Sequence, residues 1–202
     1  KLRGASDIID DTIYRLDGYN KDQVLVRKNP SRLSFNKNIV LQGVSFGYQK
    51  SDRSLVLKDI NLEINRFSKI GITGPSGSGK STLVDLIMGF LDPSSGKIFV
   101  DGVPLSGSNV RDNWHANISL VPQNIYLMDA SIISNITFGL EANEINIKKI
   151  EEVIRITQLE DLVLSLDEGY NYIVGEGGKN LSHGQRQRIG IARALYRETD
   201  LL

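Results

Sequence analysis

Gly74-Pro75-Ser76-Gly77-Ser78-Gly79-Lys80-Ser81-Thr82 satisfies G-x-x-x-x-G-K-[ST] at every position. A glycine- and serine-rich surface loop is the ordinary alternative, and the flanks decide against it. Before the stretch, Lys69-Ile70-Gly71-Ile72-Thr73 predicts a short buried strand. After it, Leu83, Leu86, Ile87 and Phe90 recur at helical spacing, with Gly89 as a stop. Strand, glycine turn and helix is the setting of a phosphate-binding loop. Its glycines let successive backbone N–H groups turn inward toward phosphate oxygens, and the helix N-terminus adds partial positive charge. Lys80 is placed to reach β- and γ-phosphates, and Ser81 to hold Mg²⁺. The stretch therefore points to a nucleoside triphosphate.

The 202 residues fit one domain, or a domain with a small appendage. With 40% apolar and 24% charged residues, the chain has the material for a core and does not read as disordered. A formal net charge of zero gives no support to a nucleic-acid partner. The absence of cysteine excludes a disulfide framework and suits a reducing compartment. No apolar run approaches the roughly 18 residues of a membrane span, so this segment by itself is expected to be soluble. The Asn-x-Ser/Thr triplets at Asn117, Asn135 and Asn180 carry no meaning in a cytosolic protein.

Residues 1–17 place Leu2, Ala5, Ile8, Ile9, Ile13 and Leu16 at helical spacing, and residues 18–36 read as a linker. A β-rich section follows. Ile39-Val40-Leu41 and Val44-Ser45-Phe46 form one interrupted strand, and Ile60, Leu62 and Ile64 alternate as in a half-buried antiparallel strand. Asp52-Arg53-Ser54 is the expected turn between them. Asp92 to Gly96 turns the chain into a strand at Lys97–Val100, Asp101-Gly102 turns it again, and Ile118–Val121 predicts a strand in a covered sheet. Helices are expected beyond. Asp129 is the candidate N-cap for one bearing Ile132, Ile133 and Ile136. Another carries the stripe Ile147, Ile150, Val153, Ile154 and Leu159, and Ser182 caps a third that runs through Ile189, Ala192 and Leu195.

Further motifs choose among phosphate-loop proteins. Leu181-Ser182-His183-Gly184-Gln185, ahead of the helix Arg186–Leu195, closely resembles the Leu-Ser-Gly-Gly-Gln signature of ATP-binding cassette (ABC) ATPases. Val121-Pro122-Gln123 resembles that family's Q-loop. Tyr48, a rim aromatic when read alone, stands where the family keeps an aromatic that stacks on adenine. The order and spacing match over about residues 37 to 202.

The resemblance implies an α/β phosphate-loop core with a mostly parallel sheet, an antiparallel β subdomain and a helical subdomain at about 124–185. Residues 1–36 would be a helix and linker entering from an upstream membrane domain. ATP and Mg²⁺ would be bound by Tyr48, Gly74, Ser76, Gly77, Ser78, Gly79, Lys80, Ser81, Thr82 and Gln123. Lys80 and Gln123 would take the catalytic roles, and Ser81 and Gln123 would hold the metal. Leu181, Ser182, His183, Gly184 and Gln185 would close on ATP held by a second, head-to-tail domain. His183 replaces the usual glycine, and its ring either meets the phosphate or points to solvent. Val174-Gly175-Glu176-Gly177-Gly178 resembles the exporter stretch that touches membrane-domain loops. Residues 85–89 and 124–129 resemble bacterial flippases of lipids or lipid-linked oligosaccharides. Such a domain would work at the cytoplasmic face of the inner membrane with transmembrane domains, fused or associated, as partners. In the family the next strand ends in Asp-Glu, the Glu polarising water. Asp200-Leu201-Leu202 resembles the start of that strand, so the chain is expected to be truncated, with hydrolysis lowered about 10²–10⁴-fold. The rivals are a soluble ABC ATPase acting on nucleic acid or ribosomes, disfavoured by the short interval from Gln123 to Leu181, and a non-hydrolysing ATP-binding fragment.

Overall fold

The computed structural model describes residues 31–48 and 55–202. The amphipathic helix expected over 1–17, most of the 18–36 linker and the turn at Asp52-Arg53-Ser54 lie outside the described residues. Strands β1 (Asn38–Phe46), β2 (Leu57–Asn65), β3 (Ser95–Val100) and β4 (Val103–Pro104) form one antiparallel sheet ordered β2-β1-β3-β4. The interruption read after Leu41 is a register shift, between Leu41 and Val44 on the ladder to β2 and between Gln42 and Ser45 on the ladder to β3. The alternation at Ile60, Leu62 and Ile64 gives β2 one half-buried and one exposed face. Opposite them, Ile39, Leu41 and Val44 of β1 are fully buried.

Helix α1 (Lys80–Ile87) leaves the phosphate loop and puts Leu86 and Ile87 into the core beneath the sheet. Its last residues are tied by α2 (Ser108–His115), where buried Trp114 donates its indole N–H to the Ile87 carbonyl at 3.0 Å. That carbonyl has no acceptor role inside the helix, so the indole caps the end of α1. Phe35 meets Trp114 edge-on at 5.5 Å and carries the chain's approach segment into the same core. Further along, α3 (Ile132–Ile136), α4 (Ile147–Ile156), α5 (Glu160–Ser165) and α6 (His183–Tyr196) share a second core built on Leu127, Ile132, Ile150, Ile154 and Ile189.

Four local expectations are corrected. Residues 69–73 pair with no strand, and Ile70 and Ile72 are 50% and 38% exposed rather than buried. Ile118–Val121 contributes a single parallel bridge, Ile118 to Leu201, and Leu120 is exposed. In both cases apolar content signals a strand, but a strand is assembled by its ladder partners, which pattern does not supply. The N-cap of α3 is Ser131 and not Asp129, because only Ser131 Oγ reaches the Ser134 amide, at 3.1 Å. The predicted α4 stripe also stops early. Gln158 turns to φ 55°, and Leu159 is buried beyond the helix end.

Asp101, in the β3–β4 turn, holds the approach segment. Its carboxylate accepts from the backbone N–H groups of Asn36, Lys37 (2.8 Å) and Asn38 (3.0 Å). Burial raises its pKa, but these three donors and the Lys37 charge outweigh that and hold it below the ordinary 3.8. A depressed folded-state value means that the stabilisation is present above the ordinary carboxylate value and is lost as pH falls through the folded one. Asp101→Asn tolerates the left-handed φ of 47° and removes the charge together with one of the two accepting oxygens. Urea melts are expected to show it less stable at pH 7 by roughly 1 kcal/mol, with the difference shrinking as pH falls below about 3.8 and lost once pH is below the folded-state value.

Candidate nucleotide-binding site

The loop from Gly74 to Gly79 is closed by its own lysine. Lys80 Nζ donates to the carbonyls of Gly74 at 2.9 Å and Pro75 at 2.8 Å, which sets an ammonium at the centre of the loop. Gly79, at φ 87°, is the N-cap of α1 and supplies no side-chain acceptor. A Cβ at Gly79 would lie 2.9 Å from Leu57 of β2, so both conformation and space require glycine. The first amides of α1, at Lys80, Ser81 and Thr82, accordingly make no backbone hydrogen bond among the described residues. Uncommitted amides, the helix dipole and a lysine ammonium converge on one side of the loop, the electrostatics of an anion site.

A cavity of about 390 Å³ lies there, lined by Tyr48, Val56, Ser76, Gly77, Gly79, Lys80, Ser81 and Thr82. Tyr48 is 67% exposed, packs edge-on against Phe46 at 5.0 Å, and shares a 3.1 Å hydrogen bond with the buried Thr82 hydroxyl. The structure thus brings this aromatic and the loop together. Gln123 is exposed and is not among the residues lining this cavity. Val56 was missed by the sequence reading. Nothing in its identity marks it, since it enters through the position of the residues just before β2.

The signature stretch lies apart from that cavity. Leu181 is buried, and Ser182, His183 and Gly184 are exposed at the start of α6. Ser182 and Gln185 form a capping box: Gln185 N–H donates to Ser182 Oγ at 3.2 Å, and Ser182 N–H donates to Gln185 Oε1 at 2.8 Å. Part of what reads as a ligand motif is therefore the start of a helix. Ser182 Oγ accepts in this box and keeps its own proton to donate outward.

Arg193 and Asn135 belong to the same helical region, and sequence reasoning gave neither a role. Asn135 is fully buried and hydrogen-bonded through both amide atoms. That leaves no accessible amide at its Asn-x-Thr triplet. A polar residue inside the apolar run Ile132 to Ile136 was the available signal. Arg193 is half-buried over the Phe138 ring, and desolvation, then the Arg197 charge, pulls its pKa below the usual arginine value.

A family model described as ABC transporter matches residues 57–202. The fold and the loop define a phosphate-loop nucleotide-binding domain, and the chain belongs to the ABC transporter family. The alpha-hemolysin translocation ATP-binding protein HlyB of Escherichia coli is 41% identical over 83% of this chain and 23% of its own length. The ATP-dependent lipid A-core flippase of Burkholderia pseudomallei is 39% identical over 79% of this chain and 26% of its own. The multidrug resistance protein pgp-1 of Caenorhabditis elegans is 35% identical over 81% of this chain and 12% of its own. The chain thus spans about a quarter or less of these relatives. A bacterial Atm1-family ABC exporter with ATP bound superposes with a TM-score of 0.77 at 28% identity, covering 98% of this chain and 33% of that one.

Ser182→Ala removes the cap acceptor of α6 and is expected to cost about 1 kcal/mol in a denaturant melt. Ser182→Asn or Ser182→Thr should recover most of that loss. Full stability in the alanine variant would show that the capping box carries none of the helix start.

Proposed function

We propose that this chain binds Mg-ATP in the loop at Gly74 to Thr82. Paired head to tail with a second ATP-binding domain, it powers export or flipping of a substrate across a membrane. The observation that carries this reading is the Lys80 ammonium, held by the Gly74 and Pro75 carbonyls, beside the uncommitted amides of Lys80, Ser81 and Thr82 at the uncapped start of α1. Lys80 and the loop amides take the β- and γ-phosphates. Thr82 lies nearer the α position, and Tyr48 offers its exposed ring face to adenine. The Thr82 hydroxyl holds that ring beside the loop.

Ser81 and Gln123 are exposed, and neither side chain is hydrogen-bonded to the described residues. Both offer neutral oxygen donors, which fits a hard cation whose negative ligands come mainly from the phosphates. When bound, Mg²⁺ supplies charge stabilisation for the transferring phosphoryl group. Ser182 and the free amides of His183 and Gly184 serve the partner domain's nucleotide, which is why they stand away from this chain's own loop. Val174-Gly175-Glu176-Gly177-Gly178 is packed onto residues 127–130 through Val174 N–H to Ala130 O and Gly177 N–H to Leu127 O. Glu176 and Gly177 are left exposed, a surface for the loops of transmembrane domains. The translocation and flippase names of the relatives support the export branch.

Among the described residues, no carboxylate lines the loop cavity. The chain's residues there bind and orient phosphate, and none is placed to take a proton from water. Phosphate release by these 202 residues alone is therefore expected to run about 10²–10⁴-fold below that of a domain with a positioned base. A turnover of about one per second would contradict this. Lys80→Ala is expected to abolish the rise in melting temperature caused by Mg-ATP while leaving the melt without nucleotide in place. An unchanged ATP shift in that variant would sink the nucleotide assignment.

A further inference from the structure

Helix α6 ends on a residue poorly suited to end it. The chain leaves the helix through Arg197 and turns at Glu198, whose φ is 49°. A left-handed residue just past the C-cap is a common way to stop a helix, and glycine usually fills it because a side chain there is strained. Glu198 carries that side chain and is exposed, so burial does not hold it in place. Two cations do. Lys149 Nζ of α4 meets the Glu198 carboxylate at 2.8 Å while lying 4.9 Å from the centroid of the Tyr196 ring. From the other side, Arg32 Nη1 donates to the Glu198 carbonyl at 3.0 Å and Nη2 to the Arg197 carbonyl at 3.3 Å. These carbonyls stand at the negative end of the helix dipole, where the helix itself offers no donor.

Arg32 works from a firm base. Leu33 donates its N–H to the Asn113 carbonyl at 3.2 Å, and its own carbonyl accepts from Asn117 Nδ2 at 2.8 Å. Phe35 is buried against Trp114, and Asp101 holds the amides of Asn36, Lys37 and Asn38. All these anchors lie on the sheet side, whose core shares no residue with the core of α6. The chain just past the turn is fixed to the same side. Asn117 Nδ2 also donates to Asp200 Oδ2 at 2.7 Å, and Arg66 Nη2 meets Asp200 Oδ1 at 3.1 Å. Glu198 is therefore where the chain crosses from one core to the other, gripped from both.

We propose that the Glu198 turn is a conformational latch: Arg32 from the entering segment and Lys149 from α4 together hold it left-handed and fix where α6 ends, and withdrawing Arg32 lets it relax. Backbone strain of this kind persists only where surrounding contacts over-determine it, and here those contacts come from two separate bodies. Arg32 is a positioning residue, acting on the helix end through two carbonyls. It is exposed, so its bonds compete with water and the latch opens while the buried Phe35 stays seated. It is also the first residue of the compact unit 32–202, so a movement of the chain before it acts on the latch before anything else in that unit. The latch does not depend on the nucleotide reading.

Nuclear magnetic resonance on the full chain without nucleotide tests it. The one-bond Cα–Hα coupling of Glu198, which separates positive from negative φ, should read left-handed. An ordinary negative-φ value there overturns the latch before any substitution is made. In Arg32→Ala that coupling should move toward the negative-φ value. Amide exchange at Leu195, Tyr196 and Glu198 should quicken about fivefold or more, while the amides of Lys37 and Asn38 stay within about twofold. Glycine adopts this conformation unaided. In a Glu198→Gly background, Arg32→Ala should therefore alter exchange at Leu195 and Tyr196 by less than about twofold. An Arg32→Ala chain whose Glu198 stays left-handed, or whose α6 end exchanges as before, sinks the proposal. So does an equal response in the Glu198→Gly background, because Arg32 would then act elsewhere than on this turn. Equal quickening at Lys37 and Asn38 also overturns it, because the whole entering segment would then have come loose.

Discussion

A helix must do something with its first amides, and that requirement organises both ends of this molecule's chemistry. Helices α1 and α6 answer it in opposite ways. At α1 the cap is Gly79, which has no side chain to offer, so the amides of Lys80, Ser81 and Thr82 remain available and an ammonium is drawn in beside them. At α6 the capping box of Ser182 and Gln185 satisfies the helix locally while leaving a hydroxyl proton and the amides beside it exposed. One start leaves its amides open. The other closes on its own side chains and stays exposed.

The rest of the structure keeps these two starts in place. Behind α1, Trp114 closes the far end of the helix by taking the Ile87 carbonyl, and Phe35 braces the indole. The phosphate loop is therefore anchored by a helix fixed at both termini, with Leu86 buried between. Behind α6, the helical core on Leu127, Ile150 and Ile189 does the same work, and Arg193 adds polar ties to a neighbouring segment. A half-buried guanidinium needs its donors engaged, and here the Tyr126 and Asn135 carbonyls and Asn135 Oδ1 engage them. Each end of the site thus rests on apolar packing finished by a small number of hydrogen bonds.

The family resemblance could be read from residues 74–82 and 181–185 because those stretches are defined by local backbone chemistry. Glycines at fixed offsets permit a loop, and Ser-x-x-Gln permits a capping box, whatever surrounds them. Antiparallel strands β1 and β2 were legible for a related reason: alternation at Ile60, Leu62 and Ile64 records a sheet with one wet face. The strands proposed at 69–73 and 118–121 rested on apolar runs alone, and their exposure in the structure shows how little a run says about its partners. Asp129 and Ser131 were equally good caps on paper, and only the path of the chain into α3 chose between them.

By itself, then, the order of residues determined the loop, the capped start of α6, the strands β1 and β2 and the buried Ile150, Val153 and Ile154 of α4, since each is specified within a few neighbours by torsional preference or periodicity. Tertiary structure decided what lies next to what. It set Tyr48 against Thr82, Val56 in the wall of the loop cavity, Trp114 on the end of α1, and Arg193 across Tyr126 and Asn135. These contacts join residues separated along the chain by as many as 67 positions. Their energy depends on distance and burial, quantities that no local pattern encodes.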